Sequence, residues 1–106
     1  MTQSKNSSDR LSLPWPPQAA AKKKYRFAVR ILAMQHPQPI PEEGPIYLEV
    51  EFYQPDNRAR DQDNMIAAFK AGQDGLADAW KINDKRINCT YKFSQQKGGM
   101  VKVKVL

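Results

Sequence analysis

The chain is poor in the residues that most enzymes use as nucleophiles and metal ligands. Of its 106 residues one is cysteine, Cys89, and one is histidine, His36. A disulfide framework needs a pair of cysteines and a Cys/His zinc site needs several ligands, so both are excluded. Ser-His-Asp or Cys-His catalysis is left with a lone histidine in a proline-rich setting, His36-Pro37-Gln38-Pro39. No apolar run approaches the ~18 residues of a membrane span. The first residues lack a basic segment followed by an apolar one, so no secretory signal is expected. A reducing, cytoplasmic setting with no membrane partner is the resulting expectation.

What is present points to a small globular domain with an anionic partner. Seventeen Lys and Arg against eleven Asp and Glu leave a net charge of +6. That surplus favours polyanions, because phosphates gain from Lys and Arg contacts. Hydrophobic residues make up 41%, enough for a core and too many for a disordered chain. The length suits one domain. Residues 1–10 are polar and aperiodic and read as a flexible tail, which places the domain at 11–106.

Along the domain, Leu11-Ser12-Leu13 alternates and then meets Pro14-Trp15-Pro16-Pro17, where a strand must end. Ala19 to Met34 reads as a helix, with Tyr25, Val29 and Leu32 at i, i+4, i+7 and prolines from Pro37 onward stopping it. Ile46 to Tyr53 reads as a strand. Ile46, Leu48, Val50 and Phe52 share one face, and Tyr47, Glu49, Glu51 and Tyr53 the other. A second helix opens at Asp61 or Asp63 and runs to about Trp80, with Ile66, Phe69, Leu76 and Trp80 as its apolar stripe and Gly72 and Gly75 weakening it. Ile87 to Phe93 and Met100 to Leu106 read as strands around a Gln95–Gly99 loop. The predicted order is β-α-β-α-β-β. This is an α+β domain with a small mixed β-sheet flanked by helices.

The stretch with chemical content is Arg58-Ala59-Arg60-Asp61-Gln62-Asp63-Asn64. Two carboxylates two residues apart, between a strand and a helix, project the same way in extended backbone. Such a pair suits a hard cation such as Mg²⁺, which takes oxygen ligands and keeps several waters. Asp84 is the best third carboxylate if the chain after the second helix folds back to the same sheet end. Helix capping accounts for Asp61 and Asp63 as well, since Asp accepts bonds from free N–H groups and suits the positive end of the helix. An EF-hand is excluded, because Met65 and Ile66 stand where that loop needs an oxygen ligand and glycine.

Leu13-Pro14-Trp15-Pro16-Pro17 followed by Pro55-Asp56 and Arg58-Ala59-Arg60-Asp61-Gln62-Asp63-Asn64 resembles the RusA-type Holliday junction resolvases, phage and prophage endonucleases acting on branched DNA in recombination and repair. Asp74-Gly75-Leu76, Asn83-Asp84 and Lys97-Gly98-Gly99 follow in that family's order, so the resemblance covers most of 11–106. It implies DNA cleavage with Mg²⁺ held by Asp61, Asp63 and Asp84, with Arg60 and Asn64 flanking the pair. It implies a homodimer on a four-way junction, one acidic site near each of two strands. In such a site a metal-bound water attacks the phosphorus and the metal offsets charge on the leaving oxygen. Arg60 and Lys70 would stabilise phosphate charge.

Two departures stand out. Ala67 occupies the place of the family's lysine one turn after the second aspartate, and Lys70, two turns after Asp63 on nearly the same face, is the candidate to replace it. Gln18-Ala19-Ala20-Ala21 also leads almost directly into Lys22-Lys23-Lys24, where the family often has a longer polar loop. Arg58, Arg60, Lys81, Lys85 and Arg86 are candidate DNA contacts by their nearness to the acidic residues, and ordinary solvated charge is the alternative for each. Trp15, Trp80, Phe52 and Phe69 are expected in the core. Tyr47 and Tyr53 are open to base stacking. Cys89 is expected to be an inert thiol. Two competing functions remain: a catalytically weak branched-DNA-binding protein that keeps the fold, and a basic interaction domain whose aspartates only cap a helix.

Overall fold

The computed structural model describes residues 10–17 and 21–106. The expected tail at 1–9, and the start of the first helix at Ala19 and Ala20, lie outside the described residues. The elements are β1 (Arg10–Pro14), α1 (Lys22–Gln35), β2 (Ile46–Tyr53), α2 (Gln62–Trp80), a single 3₁₀ turn (Asp84–Arg86), β3 (Ile87–Phe93) and β4 (Met100–Val105). This is the expected β-α-β-α-β-β order. Arg10, read as the end of the tail, is instead the first residue of β1. It pairs with Lys104, and its guanidinium donates to Glu51 at 3.0 Å.

The sheet runs β1-β4-β2-β3. β4 is antiparallel to both β1 and β2, and β2 is parallel to β3. Three strands therefore point one way and β4 runs back between two of them. Period-two alternation gives the sheet a dry face of Leu11, Leu13, Ile46, Leu48, Val50, Phe52, Ile87, Val101 and Val103. The opposite face carries Arg10, Lys102, Lys104, Glu49, Glu51, Tyr47, Tyr53 and Lys92. There the strand register sets Lys104 beside Glu49 and Lys102 beside Glu51, and Lys92 closes an ion pair with Glu49.

Both helices pack side by side on the dry face. α1 buries Tyr25, Val29 and Ala33, with Leu32 at the margin. The Tyr25 hydroxyl donates to the Pro14 carbonyl at 2.6 Å, and burial pushes this phenol well up from its ordinary value. α2 buries Met65, Phe69, Gly72 and Leu76, a stripe at i, i+4, i+7, i+11. Of the expected stripe Phe69 and Leu76 are buried, while Met65 takes the inward place expected of Ile66; Ile66 and Trp80 are only partly buried, as is Trp15. Phe52 is the hub, edge-on to Trp15 and Phe69 and stacked on Phe93 with centroids 5.3 Å apart. Cys89 is half-buried, and desolvation raises its thiol pKa, which keeps it protonated and unreactive at neutral pH.

The two helical glycines act as contact points. A methyl group built at Gly75 would run into the backbone carbonyl of Arg26 and stand 3.0 Å from Val29 Cβ. One at Gly72 would stand 2.7 Å from Phe69 Cε1 and 3.0 Å from Tyr25. Their low helix propensity is offset by a close α1–α2 approach that side chains would prevent. The helices are then clasped by Arg26, whose Nε and Nη2 donate to the two Asp78 oxygens at 2.7 and 2.9 Å. No helix among the described residues is long and apolar enough to cross a membrane.

Gly75→Ala is expected to destabilise the fold by about 1–3 kcal/mol, although alanine is the better helix former. Urea denaturation read by circular dichroism checks this, and a raised midpoint would show that the helices can separate without loss.

Candidate functional site

Because β1, β2 and β3 are parallel, the segments leaving their carboxyl ends gather at one edge of the sheet. In open sheets with parallel strands that edge is the usual ligand position. Trp15-Pro16-Pro17 follows β1, Gln54–Asp61 follows β2, and the Gly98 and Gly99 amides before β4 donate to the Gln54 carbonyl at 2.9 and 3.3 Å. The Leu-Pro-Trp-Pro-Pro and Arg-Asp-x-Asp-Asn motifs, far apart in the chain, thus meet. Between them lies an open cleft of about 740 Å³, lined by Trp15, Pro16, Pro17, Lys22, Arg58, Ala59, Arg60, Asp61, Asn64, Met65, Ala67 and Ala68.

Arg60 holds this edge together. Its guanidinium lies 5.5 Å from the Trp15 ring centroid, and its Nη1 donates to Asp56 at 2.8 Å and to Gln54 at 3.1 Å. Asp56 also accepts from the Arg58 N–H at 3.0 Å. The Arg60 hydrogen bond, joined by the Arg58 amide, brings the Asp56 carboxyl down to about 2. Arg58 itself is exposed at the cleft.

Asp61 is the N-cap of α2 and accepts from the Asp63 N–H at 3.0 Å. Asp63 stands exposed in the first turn, where its charge suits the helix dipole. Asp84 is elsewhere. α2 has 19 residues and spans about 28 Å. It carries the chain from the carboxyl end of β2 to the amino end of β3, so Asp84 begins at the sheet edge opposite Asp61. The expectation that Asp84 returns to the edge of Asp61 and Asp63 is corrected by this parallel crossover. Asp84 instead accepts from Lys70 Nζ at 3.3 Å, and Lys70 also reaches Asp74 at 3.2 Å. Burial works against the Lys70 charge, but the two carboxylates outweigh it and raise its pKa. Among the described residues no group of three or more Asp, Glu, His or Cys is placed to hold a metal ion. In this arrangement the three aspartates do not form the expected Mg²⁺ nest.

The other sequence candidates divide. Lys81 is the left-handed C-cap of α2, at φ 58°, and is exposed. Lys85 is exposed beside Asn83, whose side chain caps the 3₁₀ turn. Arg86 directs Nε to the Gly44 carbonyl at 2.9 Å and Nη2 to the Pro41 carbonyl at 2.7 Å, which fixes the loop before β2 and leaves it a structural task. Lys22, in a basic run open to phosphate contact, lies in the cleft, and Asp74 under Lys70 is not among the expected site residues. The i, i+4 spacing of Lys70 and Asp74 carries a signal for that pair; Arg26–Asp78 has none, being a tertiary contact.

No protein-family model matches the chain. It is 35% identical over 87 residues to a Xylella fastidiosa (strain Temecula1 / ATCC 700964) protein described as uncharacterized, with 79% of this chain and 57% of that protein aligned. The chain therefore spans less than two thirds of that relative.

Removal of the Arg60 side chain should release Asp56. A carbon-detected NMR titration should place the Asp56 carboxyl at about 2 in the unmodified chain and higher in Arg60→Ala, where the Arg58 amide alone still holds it below the ordinary carboxylate range. A depressed pKa means this pair stabilises the fold above the usual carboxylate pKa, and the contribution fades as pH falls toward 2.

Proposed function

We propose that the chain is a RusA-type endodeoxyribonuclease that acts with Mg²⁺, as a cytoplasmic homodimer, on four-way junctions and related branched DNA. The observation that carries this is the meeting of the two motif segments. Trp15-Pro16-Pro17 and Arg58–Asn64 border one cleft at the carboxyl edge of the parallel strands, with Lys22, Arg58 and Arg60 along it. A cationic rim fits DNA phosphates, and the +6 surplus would steer association. Asp61 and Asp63 stand at that edge with the Arg60-bound Asp56, whereas Asp84 begins at the opposite edge, paired with Lys70. Lys81 and Lys85 are exposed at the opposite edge of the sheet, near Asp84, so as DNA-contact candidates they stand apart from Arg58 at the cleft.

A second reading, a branched-DNA-binding protein with weak or no catalysis, is favoured by one observation. Asp84 is bound to Lys70 at the far side of α2 rather than beside Asp61 and Asp63.

A mobile four-way junction incubated with the protein separates the two. Under the nuclease reading, Mg²⁺ supports strand cleavage, EDTA abolishes it, and Asp63→Asn lowers the rate by orders of magnitude while binding persists. Binding without cleavage under all conditions selects the second reading. Cleavage by Asp63→Asn at the unmodified rate overturns the assigned role of the acidic pair. Sedimentation at micromolar concentration should give a dimer, and a monomer would confine the enzyme to single-strand nicking.

A further inference from the structure

We propose that the cleft beside Trp15 takes up one unstacked nucleobase of the DNA strand, with the adjoining phosphate on its cationic rim. This rests on the DNA-binding reading above and gives that site a specific ligand.

The cleft has two chemically distinct parts. Its wall is apolar and small-sided: Trp15, Pro16, Met65, Ala67 and Ala68 contribute no charge, and the two alanines leave the helix surface low. Phosphate contacts alone do not call for such a wall, since a phosphate gains nothing from apolar contact and is best met by donors. A nucleobase does, because its faces stack on aromatic and apolar surface while its edge seeks hydrogen bonds. Asn64 lines the same cleft, and its amide offers a donor and an acceptor together, the pairing that reads a base edge. Among the described residues of the lining, Lys22 and Arg58 are cations outside the Arg60–Asp56 ion pair, against one carboxylate, Asp61. The volume of about 740 Å³ lies within the range of small-molecule sites and exceeds what a phosphate alone would fill.

The wall is also pre-set. Phe52 meets the Trp15 ring edge-on at 6.1 Å and the Arg60 guanidinium lies over it, so the indole is ordered before any ligand arrives. A fixed aromatic loses little side-chain freedom on binding. A base already unpaired at a branch point costs least to unstack, which would turn the cleft into a reader of DNA branching.

The test uses the full chain in EDTA, so that cleavage plays no part. Two end-labelled strands of equal length, an oligothymidylate and its abasic deoxyribose-phosphate counterpart, are titrated by fluorescence anisotropy. The base-bearing strand should bind at least about five-fold more tightly, the lower end of what one stacked base contributes. Ala67→Leu, at an exposed helix position that tolerates the larger side chain, should fill the cleft and erase that preference while the abasic strand binds as before. Arg58→Ala should weaken both strands by the same factor. Circular dichroism confirms that each variant is folded. Equal binding of the two strands, no binding of either, or a preference that survives Ala67→Leu overturns the proposal. If the strands bind equally and a junction is still cut with Mg²⁺, the base site fails and the nuclease reading stands. If the preference is present and no junction is cut, the reverse holds.

Discussion

Antiparallel pairing of β4 between β1 and β2 is the constraint on which the rest of the structure depends. Together with the parallel β2–β3 pair it leaves β1, β2 and β3 pointing one way, and both βα connections cross back over the same face of the sheet. The crossovers become α1 and α2, and their shared face becomes the core. The same polarity gathers the segments after β1 and β2 at one edge, where Trp15 and Arg60 meet. It also sends the chain after α2 to the other edge, which is why Asp84 is paired with Lys70 and not with Asp61. The shared direction of β1, β2 and β3 thus builds the cleft and disperses the carboxylates.

Much of the fold was legible because it rests on local periodicity. β2 and β3 have the bounds that alternation predicts, and Asp61 caps α2 as a carboxylate before a helical stripe should. The failures are tertiary. Phe69 and Leu76 of the expected α2 stripe are buried, but Met65 rather than Ile66 extends it toward the start of the helix. The close approach to α1 rests on Gly72 and Gly75, whose lack of a side chain is invisible to a hydrophobic pattern. Trp80 by its place in the helical stripe and Trp15 by its proline-stiffened setting read as core, yet both sit at its margin.

The site was legible in its parts and not in its arrangement. Arg58, Arg60, Asp61 and Asn64 border the cleft as their motif suggested. The placement of Asp84 needed strand direction, which spacing along a chain does not encode. Arg86 carries the same charge as Arg58, but only the structure shows its donors already bound to the Gly44 and Pro41 carbonyls. A cation count therefore overstates the charge available to a ligand, since Arg26, Arg60 and Lys70 are each answered by carboxylates within the chain.

The bond from the Tyr25 hydroxyl to the Pro14 carbonyl anchors the strand end that leads into Trp15. Burial keeps that phenol in its donor form well past the ordinary tyrosine pKa of ~10. The support it gives is therefore whole at neutral and mildly alkaline pH and is lost only at stronger alkalinity. The wall of the cleft keeps its shape while other groups titrate. A change in ligand affinity between neutral and mildly alkaline pH would then report on the ligand and the exposed charges at the rim, not on a moving indole.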